Sequence, residues 1–395
     1  MKNTLILLVA AHVFLSACAA PRPPSVQCGA EQFAATKSDP THNTARTASV
    51  MTRGSEFERG TMLDLLEQPA AQGPGPIEIE LLALSAGGQF GAFGAGFLRG
   101  WSENSVTPRP DFDLITGVSA GAIIAPVAFA GSEFDTALDG YRGLSERDVF
   151  RSRPFFALPS APSVASVEPL ENFIAERLTD DLIAEIEDRH NAGRGLFILA
   201  TDLDSTEAVI FDLGQMAAFD LPFEKKRACM TEAMLASAAI PGLFPPRQID
   251  NTLLADGGLR DQIFLSSVET VRENLARASG RDVRVSATLI VNGAVRPPDV
   301  AADDSILGYA RRGALILADE VLRKSIEDVV RFAEAQPGWS IRGVIADTDL
   351  SACGSELASG TFDPCVTTTL FDDGRKTGAA TPLPWLDPDA LLALA

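Results

Sequence analysis

The chain has 395 residues, 46% hydrophobic and 22% charged, an ordinary globular composition long enough for one large domain or two smaller ones. With 53 acidic against 33 basic residues, its formal charge is −20. That balance argues against nucleic acid as a partner, because phosphate recognition needs a basic face, and against a polybasic patch as the route to an anionic membrane.

The N-terminus offers another route to a membrane. Lys2 supplies a short positive region, and Thr4 to Leu15 is mostly apolar. That stretch is too short to span a hydrocarbon core of about 30 Å. Leu15-Ser16-Ala17-Cys18 follows, with small residues before a cysteine. The pattern predicts a signal peptide over residues 1–17, and it resembles the lipobox of bacterial lipoproteins. The resemblance implies cleavage before Cys18 and acylation of that cysteine, and several acyl chains anchor a protein stably. Ala19 in place of Asp implies the outer membrane of a bacterial envelope. A plain secretory signal is the alternative. Residues 18–75, rich in Pro, Ala, Ser, Thr and Gly, read as a lipid-anchored tether, with a short helix over Glu56–Leu66.

From Ile77 the pattern changes. Ile77–Leu84 reads as a strand and ends at a glycine-rich turn, Gly87-Gly88-Gln89-Phe90-Gly91. A helix is expected over Ala92–Trp101, a strand over Phe112–Thr116, and an apolar helix over Ala122–Ala130. Further strands are expected at Leu196–Ala200, Val209–Phe211, Leu253–Ala255, Val283–Asn292 and Ser340–Ile345. Helices are expected at Thr231–Ala239 and over the long stretch Ser305–Ala335. Strands alternating with helices indicate an α/β fold with a mostly parallel central sheet and helices on both faces. The tail after Ala346 reads as loop-rich, ending in a small helix over Leu386–Leu394. Cys353 and Cys365 flank a loop in an expected oxidising compartment, and a disulfide between them is the reading. Cys229 reads as a buried thiol, and Cys28 is unassigned. No Cys/His spacing points to a metal.

Between the second strand and the apolar helix stands Gly117-Val118-Ser119-Ala120-Gly121. A Gly-x-Ser-x-Gly turn in that context exposes a serine hydroxyl at the carboxyl end of a strand. Gly117 and Gly121 permit the sharp turn, and the helix behind Ser119 aims its positive end at the reacting group. A serine needs a base. The three histidines are His12 in the signal peptide, His42 in the tether and His190 at the end of a charged helix. None follows the later candidate acids, as an α/β-hydrolase triad requires. A carboxylate base remains, or no catalysis. Asp256 is the best candidate: it ends an apolar strand, and Gly257-Gly258 let backbone approach closely. A carboxylate partly removed from water has a raised pKa and is a better base. The loop at Gly87-Gly88-Gln89 lacks the ending of a P-loop. It fits an oxyanion hole, in which consecutive amides point at one negative oxygen.

These elements, in this order, resemble the patatin-like phospholipases. Thr116–Ile123 is similar to that family's nucleophile block, Ala200–Asp204 to its central strand end, and Ala236–Pro246 with Asp256–Asp261 to its acid segment. The resemblance implies a three-layer α/β/α sandwich. It also implies a Ser119–Asp256 dyad, an acyl-enzyme intermediate, a lipid or acyl-ester substrate, and no cofactor. Two positions depart from the family pattern. Ala86 stands where the loop's first glycine is usual, and Phe90 where a basic residue is usual. The expected organisation is a signal peptide (1–17), a tether (18–75), a catalytic core (76–280) and a C-terminal continuation of the same domain (281–395). The competing readings are a carboxylesterase or thioesterase on soluble substrates, and a non-catalytic lipid-binding envelope protein.

Overall fold

The structure, a computed structural model, describes residues 22–28, 36–38, 75–154, 161–293, 304–354 and 362–394. The signal peptide, Cys18 and the helix expected at Glu56–Leu66 lie outside the described residues. The strands in chain order are β1 (Ser25–Val26), β2 (Thr36–Ser38), β3 (Ile77–Leu84), β4 (Leu114–Val118), β5 (Arg151–Ser152) and β6 (Ala165–Ser166). They continue with β7 (Gly195–Asp202), β8 (Ala208–Asp212), β9 (Arg247–Ile249), β10 (Thr252–Asp256), β11 (Val283–Val291) and β12 (Trp339–Ile345). Five helices matter to the site: α1 (Gly91–Glu103), α2 (Ala120–Ala130), α3 (Phe223–Ser237), α4 (Ile306–Ala335) and α5 (Pro364–Gly378).

Strand β3 shows how the sheet divides the interior. Ile77, Ile79, Leu81 and Ala83 belong to one buried cluster, Leu82 and Leu84 to the other. Side chains alternate across a strand, so a near-continuous apolar run means burial on both faces. Residues of α1 and α2 fill one cluster, and the C-terminal half of α4 fills the other. The result is a central sheet between helical layers, as the sequence predicts. Strands β12, β11, β3, β4 and β7 run parallel in that order, and β10, β9 and β8 extend the sheet antiparallel beyond and beside β7.

Two expectations need correction. The segment before Ile77 is not wholly a free tether: β1 pairs with β9, and β2 pairs with β8. These pairings cover backbone edges that β8 and β9 would otherwise leave open. Cys229 is not a free thiol either; it is disulfide-bonded to Cys28, which fastens β1 to α3. The tail is also more regular than expected. Beyond the helix at Pro388–Leu394 it contains α5, whose Gly374 and Gly378 lie flush against the α1 backbone, as Gly96 and Gly100 of α1 lie against α5. Glycines weaken a helix signal, and the sequence reading expects α1 but not α5. The Cys353–Cys365 disulfide is present, with an S–S distance of 1.98 Å.

The Cys28–Cys229 bond closes a loop of 201 residues. Losing such a crosslink costs about 2–5 kcal/mol, chiefly by freeing the unfolded chain. Replacing both cysteines by serine is therefore expected to lower the thermal unfolding midpoint and to expose residues 22–28 to limited proteolysis. An unchanged midpoint and cleavage pattern would show that the bond does not form in solution.

Candidate active site

The register of β7 brings the serine and the aspartate together. Val118, the last residue of β4, pairs with Leu199, while Asp256, the last residue of β10, pairs with Ala200. Strand β8 occupies the other edge of β7 over the same residues. So β4 running one way and β10 running the other meet end to end on one edge. Ser119 and Asp256 sit at the junction, and Ser119 Oγ donates a 2.7 Å hydrogen bond to Asp256 Oδ2.

Ser119 sits in the tight turn before α2 with φ 53° and ψ −117°. A non-glycine residue there carries strain of order 1–3 kcal/mol, held only by surrounding structure. The hold is visible. The Ser119 amide donates to Ser237 Oγ at 3.0 Å, and Ser237 Oγ in turn donates to the Leu199 carbonyl at 2.6 Å. The two motif glycines are required by space. A Cβ on Gly121 would lie 2.3 Å from the Leu84 carbonyl oxygen, and one on Gly117 would lie 2.7 Å from the Gly121 carbonyl oxygen.

Asp256 is 5% exposed and held at every polar atom. Its Oδ1 accepts from the Gly258 amide at 2.7 Å, its carbonyl accepts from Thr201 Oγ1 at 2.9 Å, and its amide donates to the Ala239 carbonyl at 2.9 Å. Gly257 runs so close to β7 that a Cβ would meet the Leu199 carbonyl oxygen at 2.3 Å. Burial pushes the Asp256 carboxyl up from 3.8 to about 6, against the opposing hydrogen bonds from Ser119 and Gly258.

The glycine loop lies alongside. Gly91, at the start of α1, is in contact range of Ala120, and Ala86 of Gly258. Gly88 has φ 56°, a conformation suited to glycine. Among the described residues the amides of Gly87, Gly88 and Gln89 have no hydrogen-bond acceptor. Three adjacent N–H groups without partners are an arrangement that can receive a negative oxygen. Ala86 keeps its amide, which donates to the Gln262 carbonyl at 3.0 Å, so the substitution there leaves the loop backbone anchored. Phe90 packs against the core.

Two residues that brace this loop escape the sequence reading. Asn292, fully buried just after β11, donates from Nδ2 to the Ser85 carbonyl at 3.0 Å and from its amide to Ser85 Oγ at 2.6 Å. Its carbonyl oxygen would be 1.3 Å from a Cβ on Gly87. Asp363, the N-cap of α5, donates its amide to Gln89 Oε1 at 3.2 Å. An asparagine or an N-cap carries no signal of such a role without the fold. His190 ends the helix Asp180–Asn191, partly buried beside Asp212 and Gly214. It is not among the hydrogen-bond partners of Ser119 or Asp256. Phe150 packs on Phe244 in the core, with ring centroids 5.6 Å apart. Phe155 and Phe156, of the same apolar stretch, lie outside the described residues. No cluster of metal ligands occurs among the described residues.

Comparison with known proteins bears on this geometry. Residues 82–268 match the family model described as patatin-like phospholipase. An uncharacterized NTE family protein of Mycobacterium tuberculosis is 27% identical over 197 residues, covering 50% of this chain and 47% of the relative. A relative of the same description from Mycobacterium bovis aligns to the same extent. The chain thus spans about half the length of these relatives. A cGAMP-activated phospholipase of Pseudomonas aeruginosa is 27% identical over 264 residues, covering 64% of this chain and 74% of the relative.

The raised carboxyl has a consequence for stability. A native pKa above the unfolded value means that the folded state holds the proton more tightly, so stability falls as pH rises from about 4 to about 6 and then levels off. The charged form costs on the order of 3 kcal/mol at neutral pH. Asp256→Asn removes that cost. It is expected to raise the unfolding midpoint at pH 7.5 and to give a smaller gain at pH 4. A variant less stable than the wild type at pH 7.5 would contradict the assignment.

Proposed function

We propose that the protein is a lipid acyl hydrolase of the phospholipase A or lysophospholipase type, with Ser119 as nucleophile and Asp256 as base, a reading supported by the match of residues 82–268 to the patatin-like phospholipase model. The observation that carries the reading is the 2.7 Å Ser119–Asp256 hydrogen bond beside three amides without acceptors. In the first step Asp256 takes the Ser119 proton as Oγ attacks the ester carbonyl carbon. The carbonyl oxygen becomes an oxyanion against the amides of Gly87, Gly88 and Gln89. The Ser119 amide takes no part, being committed to Ser237 Oγ. The tetrahedral intermediate collapses, the bond to the alcohol oxygen breaks, and the alcohol leaves with the proton from Asp256. Water then gives its proton to Asp256, attacks the acyl-enzyme and releases the acid, returning the proton to Ser119.

One observation favours a second reading. Phe90 stands at the loop position where the family that this chain resembles usually has a basic residue, and it packs against the core. A carboxylesterase or thioesterase on soluble acyl substrates needs no such cation. The two readings separate on substrate: fatty acid release from phospholipid vesicles supports the first, and turnover confined to short dispersed esters supports the second.

Ser119→Ala and Asp256→Asn are each expected to lower kcat by about 10³-fold or more while the chain stays folded. A fluorophosphonate probe is expected to label the wild type and not Ser119→Ala. A general base must be deprotonated, so kcat/KM should rise with pH through about 6 and reach a plateau. Loss of turnover in His190→Ala would refute the dyad.

The N-terminal pattern supports the further reading that Cys18 is acylated and holds the protein at a bacterial envelope membrane. Metabolic labelling with a fatty acid should mark the wild type, and Cys18→Ser should lose both the label and recovery in the membrane fraction. Equal membrane recovery without the label would remove the anchor from the account.

A further inference from the structure

Helix α4 is packed along only part of its length. In its C-terminal half Leu322, Ile326, Val330 and Ala333 are buried against the sheet. In its N-terminal half Tyr309, Leu315, Ile316 and Leu317 are 57%, 42%, 53% and 68% exposed. Three successive residues spread over about 200° of a helix surface, so that half stands clear of the body on most sides. Scattered apolar residues on a surface are ordinary, but a cluster on one projecting element marks a contact site.

Its position relates it to the reaction site. Gln262 accepts from the Ala86 amide at its carbonyl and donates from Nε2 to the Ala318 carbonyl. Its amide also donates to Ser325 Oγ at 2.9 Å. One residue therefore joins the glycine loop to the point where α4 leaves the body. Two more exposed apolar residues flank Asp256. Ile240 follows Ala239, whose carbonyl holds the Asp256 amide, and Leu259 lies in the turn after it.

The charge of the projecting segment also sets it apart. From Ser305 to Ala318 there are two arginines, Arg311 and Arg312, and no acidic residue, in a chain of net charge −20. An apolar helix relieved of negative charge suits a lipid headgroup boundary, which repels the rest of this surface. The same two cations would oppose the stacking of two copies of the helix. No described helix is long and apolar enough to cross a membrane, so contact would be along the bilayer plane.

We propose that the N-terminal half of α4, with Leu259 and Ile240, is the surface by which the protein docks on a phospholipid bilayer and brings the site to its substrate. The proposal rests on the lipid acyl hydrolase reading. It separates a lipid acyl hydrolase from an esterase of free substrates by a surface rather than by the dyad.

The test is cosedimentation with vesicles of phosphatidylcholine, alone or mixed with phosphatidylglycerol. The full chain carries Cys18→Ala, so that no acyl anchor contributes. The parent is compared with Leu315→Ser/Ile316→Ser/Leu317→Ser in the same background. These side chains are exposed, and equal unfolding midpoints verify that the fold is retained. The parent should pellet with vesicles, more strongly with phosphatidylglycerol, and the triple variant should pellet at least ten-fold less. Equal pelleting of the two, or a parent that stays in the supernatant, would overturn the proposal. So would a parent dimer in light scattering that the triple variant dissociates without change in pelleting, since the face would then join two copies. A parent that pellets but releases no fatty acid would sink the functional reading and leave the docking surface standing. A parent that releases fatty acid from detergent-dispersed phospholipid but does not pellet with vesicles would do the reverse.

Discussion

The arrangement depends on one edge of β7, where two strands of opposite direction end on consecutive residues. Leu199 receives Val118 and Ala200 receives Asp256. A parallel strand cannot bring its carboxyl end to meet that of another strand on the same edge; an antiparallel one can. The departure of β10 from the parallel pattern is therefore what lets two short motifs 137 residues apart share a hydrogen bond. A one-residue slip would turn either side chain to the opposite face of the sheet.

That junction is costly in isolation. Ser119 holds an unfavourable backbone conformation, and Asp256 is a carboxylate with little solvent. What sustains both is close backbone packing in which glycine is needed for room. Gly121 lies against the Leu84 carbonyl and Gly257 against the Leu199 carbonyl. A serine strained into one position and an acid with a raised pKa meet in one hydrogen bond, the combination that the proposed chemistry needs. Local rules of propensity and polarity are broken where chemistry is placed, and neighbouring structure offsets them.

The Ser119–Asp256 pairing was legible in the sequence because each residue sits in a turn with its own glycines, at the end of an apolar strand. The histidine positions then excluded the ordinary base. The sheet and its main helices were legible from alternation and period for the same local reason. What was hidden depends on distant pairing. Residues 22–28 look like linker by composition, yet they complete a sheet edge and supply Cys28 to a partner 201 residues away. Helix α5 was hidden by glycines that weaken its local signal and that exist for contact with α1. Asn292 and Asp363 brace the glycine loop through an amide group and a backbone N–H, and neither leaves a pattern in the chain.

The segment matched by the family model, residues 82–268, contains Ser119, Asp256 and the glycine loop. Much of what braces that loop lies outside it. Asn292 follows β11, Ser325 and Ala318 belong to α4, and Asp363 begins α5, and each contacts the glycine loop directly or through Gln262. Strand β3, which delivers the loop, pairs along its whole length with β11. The segment that carries Ser119 and Asp256 would have an open sheet edge at β3 without β11, and a glycine loop without Asn292 and Asp363 to brace it. The C-terminal third is thus part of the site's support rather than an appendage. The same helix that steadies Gln262 beneath the glycine loop is the one that extends beyond the body, so contact with that extension is mechanically continuous with the amides that would receive the oxyanion.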